Sequence, residues 1–213
     1  MKKLLLFILC PLLMFGQTQI GQDIDGEASR DFSGKSISLS SDGSVVAIGA
    51  DGNGDESGHV RIYENQSNTW VQLGRDIDGE AAGDFSGDSL SLSSDGSIVA
   101  VGAVGNDGNG AASGHVRIYE NQSNTWVQRG NDIDDEAAGD FSGISVSLSS
   151  DGSIVAIGAK YNSGNGSFSG HVRLYDLSAV LSTDSFKQDY FSFYPNPVKE
   201  VLHINLNTGL ELK

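Results

Sequence analysis

A 56-residue self-repeat governs what this chain can fold into. Gly-His-Val-Arg-Ile-Tyr at 58–63 returns at 114–119 and again, with Leu174 in place of Ile, at 170–175. His59, His115 and His171 are therefore 56 residues apart, as are Trp70 and Trp126. Asp-Phe-Ser-Gly at 31–34 returns at 84–87 and 140–143, the first interval being three residues shorter. The shortfall lies in one stretch rich in Gly, Asn and Asp, 50–58 against 103–114, which marks that stretch as a surface loop. Repeats of this kind bury their apolar faces against one another.

Each repeat reads as four short strands. In the second, Ser89–Ser93 alternates Ser with Leu, a half-buried pattern, and Ser94-Asp95-Gly96-Ser97 is a turn in which Gly supplies the positive φ. Ile98–Ala103 is an apolar strand, His115–Tyr119 alternates polar with Val and Ile, and Thr125–Gln128 is a fourth strand after the Asn-Gln-Ser-Asn turn. No segment of the repeats carries a helical period. The expected fold is all-β: a β-propeller-like array of three four-stranded blades, incomplete as it stands or completed by oligomerisation.

The two ends differ from the middle. Residues 1–16 carry Lys2 and Lys3 and then an apolar run from Leu4 to Phe15, the pattern of a signal peptide and too short to span a bilayer. The repeats occupy 17–176, divided at about 17–72, 73–128 and 129–176, and a Ser-rich linker follows over 177–190. From 191 to 213 an aromatic stretch meets Pro195-Asn196-Pro197 and an alternating segment, Val201–Leu206, which predicts a strand after a Pro-fixed turn.

Composition narrows the partners. The 213 residues hold 28 Gly but only 3 Pro, and the glycines recur at fixed places, as tight turns require. A net charge of -15 argues against nucleic acid or an anionic membrane surface and leaves basic partners, cations and neutral glycans open. The single cysteine, Cys10, lies in the leader, so disulfides do not hold the repeats together.

The repeats resemble the FG-GAP family of integrin-α-type propellers. Phe32-Ser33-Gly34, Phe85-Ser86-Gly87 and Phe141-Ser142-Gly143 match its Phe-x-Gly. Gly49-Ala50, Gly102-Ala103 and Gly158-Ala159 match its second half. The resemblance implies a propeller with binding or adhesion roles at the cell exterior. It departs at the family's calcium loop, which has shrunk to Ser-Asp-Gly with one carboxylate per repeat (Asp42, Asp95, Asp151), too few oxygens for Ca²⁺. The tail, with its Tyr194-Pro195-Asn196-Pro197 motif, resembles the opening of a type IX secretion C-terminal sorting domain. That likeness implies export by the type IX machinery to the medium or the outer-membrane surface. The family domain runs longer, so the tag reads as truncated.

The densest acidic feature is Asp-Ile-Asp-Gly-Glu and its copies: Asp23, Asp25 and Glu27; Asp76, Asp78 and Glu80; Asp132, Asp134 and Glu136. Their oxygens could hold a cation such as Ca²⁺; a solvated connection between blades is the preferred reading, with no cofactor required. The repeated histidines open identical strands in different blades, which favours core packing over metal binding. The same division applies to Trp70 and Trp126, read as packing between blades rather than as sugar platforms. Catalysis needs unlike groups in one place, whereas near-identical repeats present the same groups three times over. The expectation is therefore a secreted or surface binding or adhesion protein without catalytic activity, taking a protein or glycan ligand and forming homo-oligomers. The alternative is a structural spacer or truncated product with no ligand of its own.

Overall fold

The computed structural model describes residues 16–181 and the strand backbones Phe191–Tyr194 and His203–Leu206. The apolar leader and the Pro195-Asn196-Pro197 turn lie outside the described residues. The first sheet is β1 (Ser36–Leu39), β2 (Val45–Ala50), β3 (His59–Asn65) and β4 (Trp70–Gln72), antiparallel and in chain order, with β5 (Ile77–Asp78) also paired to β3. The second repeats it with β6 (Ser86–Leu92), β7 (Ile98–Ala103), β8 (His115–Asn121), β9 (Trp126–Gln128) and β10 (Ile133–Asp134). The third has β11 (Ser142–Leu148), β12 (Ile154–Ala159) and β13 (His171–Asp176). Beyond them β14 (Phe191–Tyr194) pairs with β15 (His203–Leu206). The fold is all-β and antiparallel, an incomplete propeller-like set of blades.

The period-2 alternation decides the packing. Along β2 and β3, Val45, Ala47, Val60 and Ile62 face one way, and Leu90, Leu92, Val99, Val101 and Tyr119 of the second sheet close over them as one core. The same joint recurs one repeat later, where Ile98, Ala100, Val116 and Ile118 receive Val155 and Ile157 with Val146 and Leu148. Polar bonds repeat with it: Ser36 Oγ donates to the Gly87 carbonyl at 2.6 Å, and Ser89 Oγ to the Gly143 carbonyl at 2.5 Å. Gly102 must be glycine because a Cβ there would run into the Gly143 carbonyl of the next sheet.

Three features depart from a simple four-strand reading. The outer strand of each of the first two sheets is broken in two, so that Ile-Asp of the acidic motif is not a free connection but a rung on β3 or β8 (Val60↔Ile77, Val116↔Ile133). The N-terminal segment does not join the third sheet. It lies against the first, where the Ile20 carbonyl accepts from Trp70 Nε1 at 3.0 Å and Ile24 packs with Val46, Ile48 and Tyr63. After β13 the chain makes a helical turn, Ser178–Leu181, which sits where a third Trp would: the Val180 carbonyl accepts from Arg129 Nε at 3.0 Å, and Leu177 is buried.

Candidate functional site

The broken outer strand brings together groups that the sequence keeps apart. Because His59 pairs with Asp78 across β3 and β5, the residue just before β5, Asp76, lies beside the histidine of its own sheet. Glu27, from the preceding copy of the motif, reaches the same place. His59 Nδ1 stands 3.8 Å from Asp76 Oδ2 and 4.0 Å from Glu27 Oε2. One repeat on, His115 Nδ1 stands 3.7 Å from Asp132 Oδ2 and 3.9 Å from Asp134 Oδ1. Glu80 completes this second cluster, and the ligand atoms of each His-Asp-Glu trio lie within 4.8 Å of one another.

Each acidic motif is thus shared between neighbouring sites. Asp76 serves the site of its own sheet and Glu80 the site of the next. The middle residues act through their backbone: the Asp25 carbonyl accepts from Arg61 Nη2 at 2.7 Å and the Asp78 carbonyl from Arg117 Nη2 at 2.9 Å. Asp23 accepts from Gln19 at 2.7 Å and does not join the cluster. The histidines remain in separate blades, as expected, but each gathers its own carboxylates.

Outer groups fix these carboxylates. Gln72 Nε2 donates to Asp76 Oδ1 at 2.5 Å and Gln128 Nε2 to Asp132 Oδ1 at 2.6 Å, leaving the other oxygen turned to the imidazole. Arg61 Nη1 lies 3.7 Å from Glu27 Oε1, and Arg117 Nη1 3.4 Å from Glu80 Oε1. Buried Asp31 accepts from the Glu27 and Ala28 amides at 3.1 and 2.6 Å and so holds the turn that presents Glu27. Burial pushes the His115 imidazole below its ordinary 6.5, Arg117 acts in the same direction, and Asp132, Glu80 and Asp134 oppose them.

The third repeat is built differently. Asp135 stands where Gly26 and Gly79 stand earlier, and its buried carboxylate takes Arg173 Nη2 at 2.7 Å and lies 3.4 Å from His171 Nε2. Asp134 and Glu136 flank it: the Asp134 carbonyl accepts from Arg173 Nη2 at 2.9 Å, and Glu136 Oε1 lies 3.7 Å from Arg173 Nη1. Among the described residues no second aspartate joins this histidine.

A second candidate surface is the loop edge. Ala28–Phe32 and Gly52–Glu56 enclose an open cavity of about 790 Å³. One repeat later Gly83, Phe85, Gly105 and Ala112, with Lys35 and Phe141 at the margins, line another of about 490 Å³. On the third repeat Phe141, Tyr161 and Phe168 form an edge-to-face ladder with centroids 5.2 and 5.7 Å apart, and Lys160 Nζ sits 4.7 Å over the Tyr161 ring. Phe168 is 69% exposed and Phe32 63%. Trp70 and Trp126, by contrast, spend their indole N–H groups on the Ile20 and Leu73 carbonyls. The residues of the ladder were legible in the sequence, but nothing in a Gly/Asn-rich loop indicated that they would meet.

Comparison with known proteins adds little. No protein-family model matches the sequence, and no curated protein does. Among solved structures, the Kuenenia stuttgartiensis hydrazine synthase is similar over 68% of this chain at 17% identity, with a TM-score of 0.45. The match spans 34% of that chain, about a third of its length.

Proposed function

We propose that this chain is an exported binding or adhesion module, without catalytic activity of its own, whose loop edge takes a neutral glycan or a glycosylated protein at the cell exterior. The observation that carries this reading is the Phe141–Tyr161–Phe168 ladder, half-buried at Phe141 and exposed at Tyr161 and Phe168, beside loops rich in Gly and Asn. Aromatic faces suit the apolar faces of sugar rings, and the exposed amide of Asn165 in the same loop supplies hydrogen bonds. The strong negative charge agrees with a neutral rather than an anionic ligand.

The export half of the reading rests on sequence. The leader of residues 1–16 is the signal peptide, and Phe-x-Gly with Gly-Ala supports an FG-GAP-type propeller repeat. The strands Phe191–Tyr194 and His203–Leu206, on either side of Pro195-Asn196-Pro197, support a type IX sorting tail. A second copy of the chain is the further partner. The face that is buried in the first two sheets is uncovered in the third, with Val172 at 64%, Leu174 at 69% and Ile154 at 44% exposure. At the other end Ile37 and Leu39, the counterparts of buried Leu90 and Leu92, are 61% and 57% exposed. These are the two halves of the joint already made twice within the chain, so a second copy fits them head to tail.

The test is binding of the full chain to immobilised neutral polysaccharides, wild type against Phe168→Ala and Tyr161→Ala. Saturable binding that either substitution weakens by about tenfold, the scale of one lost stacking contact, supports the reading. A wild type that binds no polysaccharide, or binding indifferent to both substitutions, refutes it.

A further inference from the structure

The two complete clusters carry an observation that packing alone does not account for. The His59 and His115 residues are each 1% exposed. Their Nε2 atoms have no hydrogen-bond partner, and the carboxylate oxygens facing Nδ1 stand at 3.7–4.0 Å, beyond hydrogen-bond reach. The Nδ1 of each buried imidazole faces carboxylate oxygens without a hydrogen bond to them, and an ion seated between that nitrogen and those oxygens supplies the missing partner. The gap is also nearly the right size. Four ligands at about 2.0–2.1 Å around a tetrahedral ion lie roughly 3.3 Å apart, so the His59–Asp76, His59–Glu27 and His115–Asp132 pairs need a contraction of about half an ångström, and the remaining pairs, all within 4.8 Å, up to about 1.5 Å.

We propose that Glu27, His59 and Asp76, and one repeat later Glu80, His115 and Asp132, are two equivalent sites for a divalent transition cation, with Zn²⁺ the ion they suit best. One imidazole nitrogen and two carboxylate oxygens are a borderline donor set, poorly matched to Ca²⁺, which takes six to eight oxygens. Three protein ligands leave a fourth position for water. Outer groups hold the carboxylates: Gln72 and Gln128 orient the aspartates, and Arg61 and Arg117 lie 3.7 and 3.4 Å from Glu27 Oε1 and Glu80 Oε1, offsetting part of the carboxylate charge. Entry is open on the aspartate side, where Asp76 lines a cavity of about 450 Å³ with Gly74 and Arg75.

Since the ligands come from consecutive copies of the acidic motif, each ion ties one repeat to the next. Glu27 belongs to the N-terminal segment laid on the first sheet, and Glu80 to the first sheet laid on the second. The third repeat is the internal control. Asp135 has filled the glycine position; its carboxylate is bonded to Arg173 and lies 3.4 Å from His171 Nε2, and among the described residues no His-Asp-Glu trio gathers there.

The experiment is zinc content per chain after equilibration of the full chain with Zn²⁺ and exhaustive dialysis, read with the melting temperature. Wild type retains two equivalents. Asp132→Asn retains one, the Asp76→Asn/Asp132→Asn pair loses both, and His171→Gln keeps the wild-type amount. Zinc at a hundredfold excess over its dissociation constant raises the melting temperature of wild type by roughly 5 °C or more and that of the pair not at all. Asp76 and Asp132 are partly exposed (27% and 30%), so the pair folds, and its circular dichroism verifies this. A wild type that retains no zinc, or a folded pair that retains the wild-type amount, overturns the proposal.

Discussion

Trp126 Nε1 donates a 2.7 Å hydrogen bond to the carbonyl of Leu73, a residue of the preceding repeat. Trp70 makes the same bond to Ile20, in a segment that forms no strand. The N-terminal stretch therefore stands in for the outer strand of a blade that would precede the first. Trp126→Phe keeps an aromatic ring but removes the donor together with the second ring of the indole. Urea unfolding should show a loss of at least about 1 kcal/mol, the usual net value of one such bond, with the lost packing of the indole added to it. An unchanged midpoint would mean the indole N–H does not tie the repeats.

The Ser-Asp-Gly turns make a pH prediction. In each, one carboxylate oxygen accepts three bonds: Asp95 Oδ1 from Ser93 Oγ at 2.7 Å, the Ser97 amide at 3.0 Å and Ser97 Oγ at 2.7 Å. The amide and hydroxyl of Ser44 with the hydroxyl of Ser40 hold Asp42 down at about 2, and Ser149 with Ser153 does the same for Asp151. For Asp95 burial pushes upward, but the Ser93 and Ser97 bonds outweigh it and the net shift is downward. A folded value below the unfolded one makes the ionised form the stabilising one. That contribution is complete above the ordinary 3.8 and disappears as pH falls through about 2. Thermal melts of wild type should lose stability between pH 4 and about 2, and the Asp42→Asn/Asp151→Asn pair should lose less over that window. Parallel curves for the two proteins would contradict the assignment.

Much of the fold was legible because the repeat and the alternation act locally. Leu90 and Leu92 announce their buried face by spacing alone, and Gly96 announces its turn. What was not legible depends on register. Nothing in Asp-Ile-Asp-Gly-Glu says that its isoleucine continues an outer strand, and only that pairing sets Asp76 beside His59 and sends Glu80 to His115. Reading each motif as one unit therefore placed Asp23, Asp25 and Glu27 together, whereas the structure divides their copies between two neighbours. The change from glycine to Asp135 was visible as a letter, but its meaning required Arg173 to be in reach.

The absolute mass of the chain by light scattering after gel filtration tests the central claim, that one head-to-tail joint, repeated until the blades close, builds both the repeat array and its assembly. The account predicts the mass of two chains for wild type. It predicts a single chain for Leu174→Asp, which places a charge on the uncovered face of the third sheet without touching the two internal joints. A wild type that runs as one folded chain at all concentrations would contradict it.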